Sequence, residues 1–184
     1  MQTTTLELDV ARWEEAPTFA EWLPTAQKNP ELWQAVYTHA TVPDAIVARA
    51  RLLGGPWHLL VLSADWCGDA VNTVPVVQRL VDRVLGIDLR MLDRDTNLDL
   101  MDAHLTGKSR SIPVVMMFNG QFKELGWWGP RPSELQAWVL GPGQDMTSED
   151  RYREIRRWYA RDHGRTTLDE LVAMLERGAA AGEA

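Results

Sequence analysis

The chain predicts an α/β domain built on a mixed four-stranded sheet with helices on both faces, extended by further helices at its N- and C-terminal ends. Three observations carry this. Apolar runs of strand length at 57–63, 87–93 and 112–118 alternate with stretches of helical period. Asn119–Gly120, directly after the third run, is a strong hairpin signal and announces a fourth strand. The length of 184 residues, with 45% hydrophobic and 24% charged residues, suits one full core with helical additions.

Residues 1–56 read as a helical extension. Segments 17–23, 30–37 and 43–48 each place a proline near a first helical turn, and Leu32 with Val36 and Trp33 with Tyr37 recur at helical spacing. Gly54–Gly55–Pro56 closes this region. The central domain is expected over 57–140. Trp57–Ser63 reads as a buried strand, Asp69–Leu85 as a long helix and Ile87–Asp93 as a second strand. Asn97–Leu105 reads as a short helix, Ile112–Phe118 as a third strand, Gln121–Trp127 as the fourth and Pro132–Leu140 as a closing helix. One parallel crossover and one terminal hairpin follow from this order, with the strand leading to Cys67 in the centre. Beyond Gly141–Pro142–Gly143, a C-terminal extension over 144–178 is expected to pack on the same domain. It holds helices Glu149–Arg161, capped by Thr147 or Ser148, and Leu168–Arg177, capped by Thr166 or Thr167, with Gly164 as the C-cap between them. Ala179–Ala184 is expected to fray.

Charge narrows the function classes. Residues 1–56 carry 7 acids and 4 bases, 57–140 carry 10 and 8, and 141–184 carry 9 and 7. No segment is strongly basic, so a nucleic-acid footprint is absent. The C-terminal arginines 151, 153, 156, 157 and 161 alternate with acids and read as an ion-paired helix surface. No membrane-length apolar run is present, and Met1–Asp9 lacks the basic and apolar regions of a leader, so a cytoplasmic protein is expected. His39, His58, His104 and His163 show no ligand spacing, so no metal is expected. Of the nine tryptophans, Trp13, Trp22, Trp33 and Trp158 are read as joining helices to the core.

The one cysteine excludes an internal disulfide and stands at the most informative place in the chain. In Trp66–Cys67–Gly68–Asp69–Ala70 the thiol lies at a strand-to-helix turn, where free backbone N–H groups and the helix dipole favour an anion by about 0.3–1 kcal/mol. Asp69 opposes this: two like charges ~6 Å apart at an effective dielectric near 20 repel by about 3 kcal/mol. Asp69 itself reads first as a capping group of the helix N-terminus.

These residues resemble the thioredoxin superfamily across roughly 57–140. Trp66–Cys67–Gly68 resembles its active-site turn, Pro75 its helix proline, Ser111–Ile112–Pro113 its cis-proline loop and Phe118–Asn119–Gly120 its hairpin. The Trp-Cys-Gly-Asp-Ala turn, Arg110–Pro113 and Trp128–Gly129–Pro130–Arg131–Pro132 look more narrowly like a bacterial thioredoxin-like subfamily with helical extensions. Two positions depart from the family. Ala70 stands where the resolving cysteine would be, and Val61 where a buried aspartate would lie beneath the dithiol. A dithiol cycle is excluded.

The resemblance implies a site in which Cys67 is the nucleophile and Trp66, Gly68, Asp69 and Arg110 form its surroundings. A cis Ile112–Pro113 bond is expected to present the Ile112 backbone to a bound strand, with Trp127, Trp128 and Pro130 beside it. One of the adjacent tryptophans should face the core and the other the groove. Arg110 reads either as a solvated charge or as the counter-charge, paired with Asp69 or near the thiolate. In the latter role it would leave Cys67 with a moderately lowered pKa. The expected activity is monothiol exchange with protein or small-molecule disulfides. No cofactor is expected beyond a thiol co-substrate such as glutathione or bacillithiol, and the protein is expected to be a monomer or weak dimer. A peptide-binding or chaperone-like module without turnover, or a redox sensor forming a Cys67 disulfide dimer, are the alternatives.

Overall fold

The computed structural model describes residues 6–182. The N-terminal region holds helices α1 (Val10–Glu15), α2 (Phe19–Trp22), α3 (Pro30–His39) and α4 (Asp44–Arg51). Helix α1 begins at Asp9, whose carboxylate accepts the Ala11 amide, a cap the sequence pattern did not reveal. Thr18 and Glu21 form a reciprocal capping box that starts α2, although it is only four residues long. The expected segment 17–23 therefore splits into this helix and a 3-10 turn over Leu23–Thr25.

Strand β1 (Trp57–Ser63) runs parallel to β2 (Ile87–Asp93) through the crossover helix α5 (Gly68–Val81). After α6 (Leu98–Ala103), strand β3 (Val114–Phe118) pairs antiparallel with β1, and β4 (Glu124–Trp128) pairs antiparallel with β3. The order β2-β1-β3-β4 places β1, which delivers Cys67, inside the sheet. Residues 59–63 of β1 and all of β3 are buried, as expected of strands covered on both sides. Each large apolar side chain sealed this way contributes about 1.5–3 kcal/mol relative to exposure.

Several boundaries differ from the sequence reading, and three of the larger shifts have identifiable reasons. Strand β3 starts at Val114 rather than Ile112, since Pro113 has no N–H to give the ladder. Strand β4 starts at Glu124 rather than Gln121, because the Asn119 carboxamide oxygen accepts the amides of Gln121 and Lys123 and widens the turn. Helix α5 ends at Val81 rather than Leu85, in a tight turn where Asp82 caps it and Arg83 and Val84 bond back to Leu80 and Val81.

The N-terminal segment meets both edges of the sheet. The Met91 amide donates to the Pro17 carbonyl beside β2, and the Glu124 amide donates to the Leu6 carbonyl beside β4. After α7 (Ser133–Leu140) come α8 (Ser148–Asp162), capped by Thr147 as expected, and α9 (Arg165–Gly182). Helix α9 is longer than expected at both ends. Neither Thr166 nor Thr167 caps it: Thr166 bonds back to Asp162, and Thr167 is fully buried. The left-handed C-cap of α8 is His163, with Gly164 following, also at positive φ. A Cβ at Gly164 would meet Val76 of α5 at 2.6 Å, so this glycine permits a close approach of the α8–α9 turn to the core. The helix continues through Ala179–Gly182, where fraying was expected; Glu183–Ala184 lie outside the described residues, as do Met1–Thr5.

One hydrophobic cluster runs through Trp13 and Trp33 of the N-terminal helices, the four strands, α5, and Leu168, Leu171 and Leu175 of α9. Arg153 pairs with Asp150 and Arg157 with Glu154 along α8. No helix among the described residues is long and apolar enough to cross a membrane.

Candidate active site

Cys67 ends the turn Ala64–Asp65–Trp66 and is itself the N-cap of α5, with extended backbone angles. Its Sγ accepts the Ala70 amide at 3.4 Å and, as a thiol, donates to the Ile112 carbonyl oxygen at 3.4 Å. The Ile112–Pro113 peptide is cis. The cysteine retains only 6% of its exposure. Burial pushes its thiol pKa up, and the nearby Asp69 charge adds to the shift. The Ala70 and Asp69 amides and Arg131 pull the other way without cancelling it. The expected lowering is thus reversed: the sequence locates the helix terminus but not the depth of the sulfur beneath it.

Asp69 does not cap the helix. It is 8% exposed; its Oδ1 accepts the Tyr159 hydroxyl at 3.0 Å and its Oδ2 lies 2.6 Å from Arg131 Nη2. Burial raises this carboxyl above its ordinary range, and Arg131 and Tyr159 restrain the rise. The Tyr159 phenol is pushed far up by its own burial and by Asp69. Arg131 is held on its other side by Gln136, to which Nη1 donates at 2.9 Å, while its Nε is buried without a partner.

Arg110 has neither expected contact. Its guanidinium forks onto Asp102, Nε to Oδ1 at 2.6 Å and Nη2 to Oδ2 at 2.8 Å, and the pair is exposed. The charge beside the cysteine is Arg131 instead, which stands in the Trp128–Pro132 segment already singled out in the sequence. Tyr159 had no comparable signal. It lies 90 residues from Asp69 along the chain and reaches it only because α8 folds back on α5.

The remaining expected residues divide by position. Trp66 is half exposed beneath the Arg94 guanidinium, 5.0 Å from its ring. A Cβ added at Gly68 would meet no heavy atom within 4 Å, so open space lies over the first turn of α5. Of the adjacent tryptophans, Trp128 is buried and donates its Nε1–H to Glu170 at 2.8 Å. Trp127 is exposed and packs edge-on against His104. Gly129 precedes Pro130 at φ 136°, and a Cβ there would run into the Pro113 carbonyl oxygen, so the Pro130–Arg131 loop rests directly on the Pro113 loop. A cleft of about 430 Å³, lined in part by Trp22, Ala64, Asp65, Trp66, Asp93 and Asn97, adjoins the turn. Val61 and Ala70 are fully buried, and no thiol other than Cys67 is present. Among the described residues no group of three or more His, Cys, Asp or Glu is gathered as metal ligands would be.

A thioredoxin family model matches residues 16–156. Two solved structures are similar. A protein of unknown function from Pseudomonas aeruginosa has a TM-score of 0.72 at 18% identity, over 92% of this chain and 98% of that one. An HIV epitope-scaffold has a TM-score of 0.67 at 17% identity, also over 92% and 98%. At such identities these two share the fold. No curated protein matches the chain.

Proposed function

The chain belongs to the thioredoxin family, and from that premise we propose that it performs thiol–disulfide exchange through one sulfur, Cys67. The observation that carries this is the placement of Sγ at the N-terminus of α5, with the Ala70 amide directed at it and the Ile112 carbonyl beside Pro113 across from it. In the first step the Cys67 thiolate attacks one sulfur of a disulfide. A mixed disulfide forms, the original S–S bond breaks, and the displaced thiolate leaves with the electron pair. With Ala70 in place of a second cysteine, an external thiolate such as that of glutathione or bacillithiol attacks the mixed disulfide. It releases Cys67 as thiolate and carries the substrate sulfur away. Trp66, the open space over Gly68, Ile112–Pro113 and Trp127 would receive the partner, a protein or small-molecule disulfide. Such a cycle suits a reducing compartment, the cytoplasm, and requires no more than a monomer.

The raised thiol pKa sets the pH dependence. The thiolate is the reactive form, so the rate should climb with pH through and beyond the ordinary cysteine range. A disulfide reporter mixed with the protein and either small thiol should turn over, and Cys67→Ser should abolish turnover. The same burial favours a second reading, a groove that binds extended peptide without turnover. Equal peptide capture by wild type and Cys67→Ser, with no reporter turnover by either, would establish that reading and reject exchange. A Cys67–Cys67 dimer needs two sulfurs, each 6% exposed, to reach one another, whereas a mixed disulfide needs only one such sulfur to be reached by a flexible partner.

A further inference from the structure

We infer that Arg131 and Tyr159 are positioning residues: they hold the Asp69 carboxylate between them and so set the charge that the Cys67 sulfur meets. In catalysis this role rests on the exchange reading above. Three distant parts of the chain supply the assembly, the first turn of α5, the loop after β4 and helix α8. Each carboxylate oxygen has its own donor, Oδ1 the Tyr159 hydroxyl at 3.0 Å and Oδ2 the Arg131 guanidinium at 2.6 Å. All three side chains are largely enclosed, at 8% exposure for Asp69, 5% for Tyr159 and 18% for the Arg131 side chain.

Of the other charged groups near the turn, Arg94 lies over Trp66 and pairs with Asp95, and Asp65, Arg110 and Glu170 are engaged elsewhere. Asp65 accepts the Gln27 and Lys28 amides through Oδ2. Arg110 is taken by Asp102, and Glu170 of α9 by Trp128 and Ser133. Through Asp69, two residues from the thiol, the three side chains present a compensated pair and a neutral phenol to the site. The carboxylate and the sulfur draw on the same guanidinium, since Arg131 stabilises both as anions. While Asp69 is held as an anion it takes most of that charge. If Asp69 is neutralised, Arg131 faces the sulfur unopposed. Helix α8 is then part of the site rather than a cover for the sheet.

The test is the pH profile of Cys67 alkylation by iodoacetamide, read on the full chain from pH 5 to 10. Asp69→Asn should raise the rate at pH 7 about tenfold, equivalent to a midpoint about one unit lower. Arg131→Met removes the charge that both anions draw on and should slow alkylation at those pH values where Asp69 remains ionised, and Arg131→Lys should recover most of it. Tyr159→Phe leaves Oδ1 without its donor, so Asp69 keeps its proton to higher pH, and alkylation should be faster over the pH range in which the variant's Asp69 is protonated and the wild type's is not. In the Asp69→Asn background, Tyr159→Phe should change nothing. A purely structural role predicts the opposite: equal Tyr159→Phe effects in both backgrounds, or an Asp69→Asn profile within twofold of wild type, and either result overturns the inference. If Arg131→Met fails to fold, the Asp69→Asn and Tyr159→Phe pair decides alone. Reporter turnover is measured separately. A shifted profile without turnover keeps the inference and rejects exchange, and turnover with an unshifted profile does the reverse.

Discussion

Two loops border the Cys67 turn, and each contributes an arginine paired with an aspartate. In the loop before Pro113, Arg110 and Asp102 meet in water, with side chains 47% and 50% exposed. In the loop after β4, Arg131 and Asp69 meet in the interior, at 18% and 10%. The chemistry of the pairs is the same and the consequences are not. Water already solvates the first pair, whereas the second has only its own partners to replace the solvent it has lost.

Breaking the inner pair should therefore have the largest effect of any single change. Arg131→Met strands a buried carboxylate, and unfolding in urea should reveal a loss of about 3–5 kcal/mol at pH 7. Lowering the pH toward the raised Asp69 pKa should narrow that gap, because a protonated carboxyl needs no counter-charge. Tyr159→Phe removes one donor and leaves one oxygen unsatisfied, for a loss of about 1–2 kcal/mol by the same measurement. A subtler contrast lies at the exposed Trp127, whose neighbour His104 is buried. His104 is bonded to Glu124 at 2.9 Å and to the Leu100 carbonyl at 2.7 Å. Burial lowers its pKa, but the Glu124 and Leu100 bonds outweigh it and the net shift is upward. A group with a raised folded pKa stabilises fully below its unfolded value near 6.5 and loses that contribution as pH rises through the folded one. Wild type should lose stability relative to His104→Gln as pH climbs from 6 to 8, read by thermal unfolding at each pH. Smallest of all, Arg110→Ala should leave both the melting temperature and the Cys67 alkylation profile within error. A shifted profile in that variant would erase the distinction between the two loops.

How much of this was legible in the sequence follows the same division between local and distant causes. Strands β1 and β2 fall where their apolar runs predict, at Trp57–Ser63 and Ile87–Asp93, because hydrophobic runs bounded by turn residues report burial directly. The turn at Cys67 was legible for the same reason, being local. The depth of the sulfur was not, since it depends on how the Ile112 loop and the rest of the fold close over it. Arg110 was the natural candidate by its spacing from Pro113, yet Asp102, eight residues earlier, claims it. Arg131 lay in a segment already noted, and only packing of the Pro130 loop on Pro113, permitted by Gly129, brings it to Asp69. Tyr159 belongs to a helix whose sequence reads as a charged surface. Its inward stripe of Ile155 and Tyr159 is too short to name a target.

The dependence on Tyr159 also has a temporal side. Residue 67 is synthesised early, yet the last donor to its neighbouring carboxylate arrives 92 positions later. A chain ending at Gly143 would lack not only Tyr159 but also Leu168, Leu171 and Leu175 of the core, so the site closes only after α8 and α9 have been made. The surroundings of Cys67 are thus completed by the last helices to be synthesised rather than by the turn that carries it.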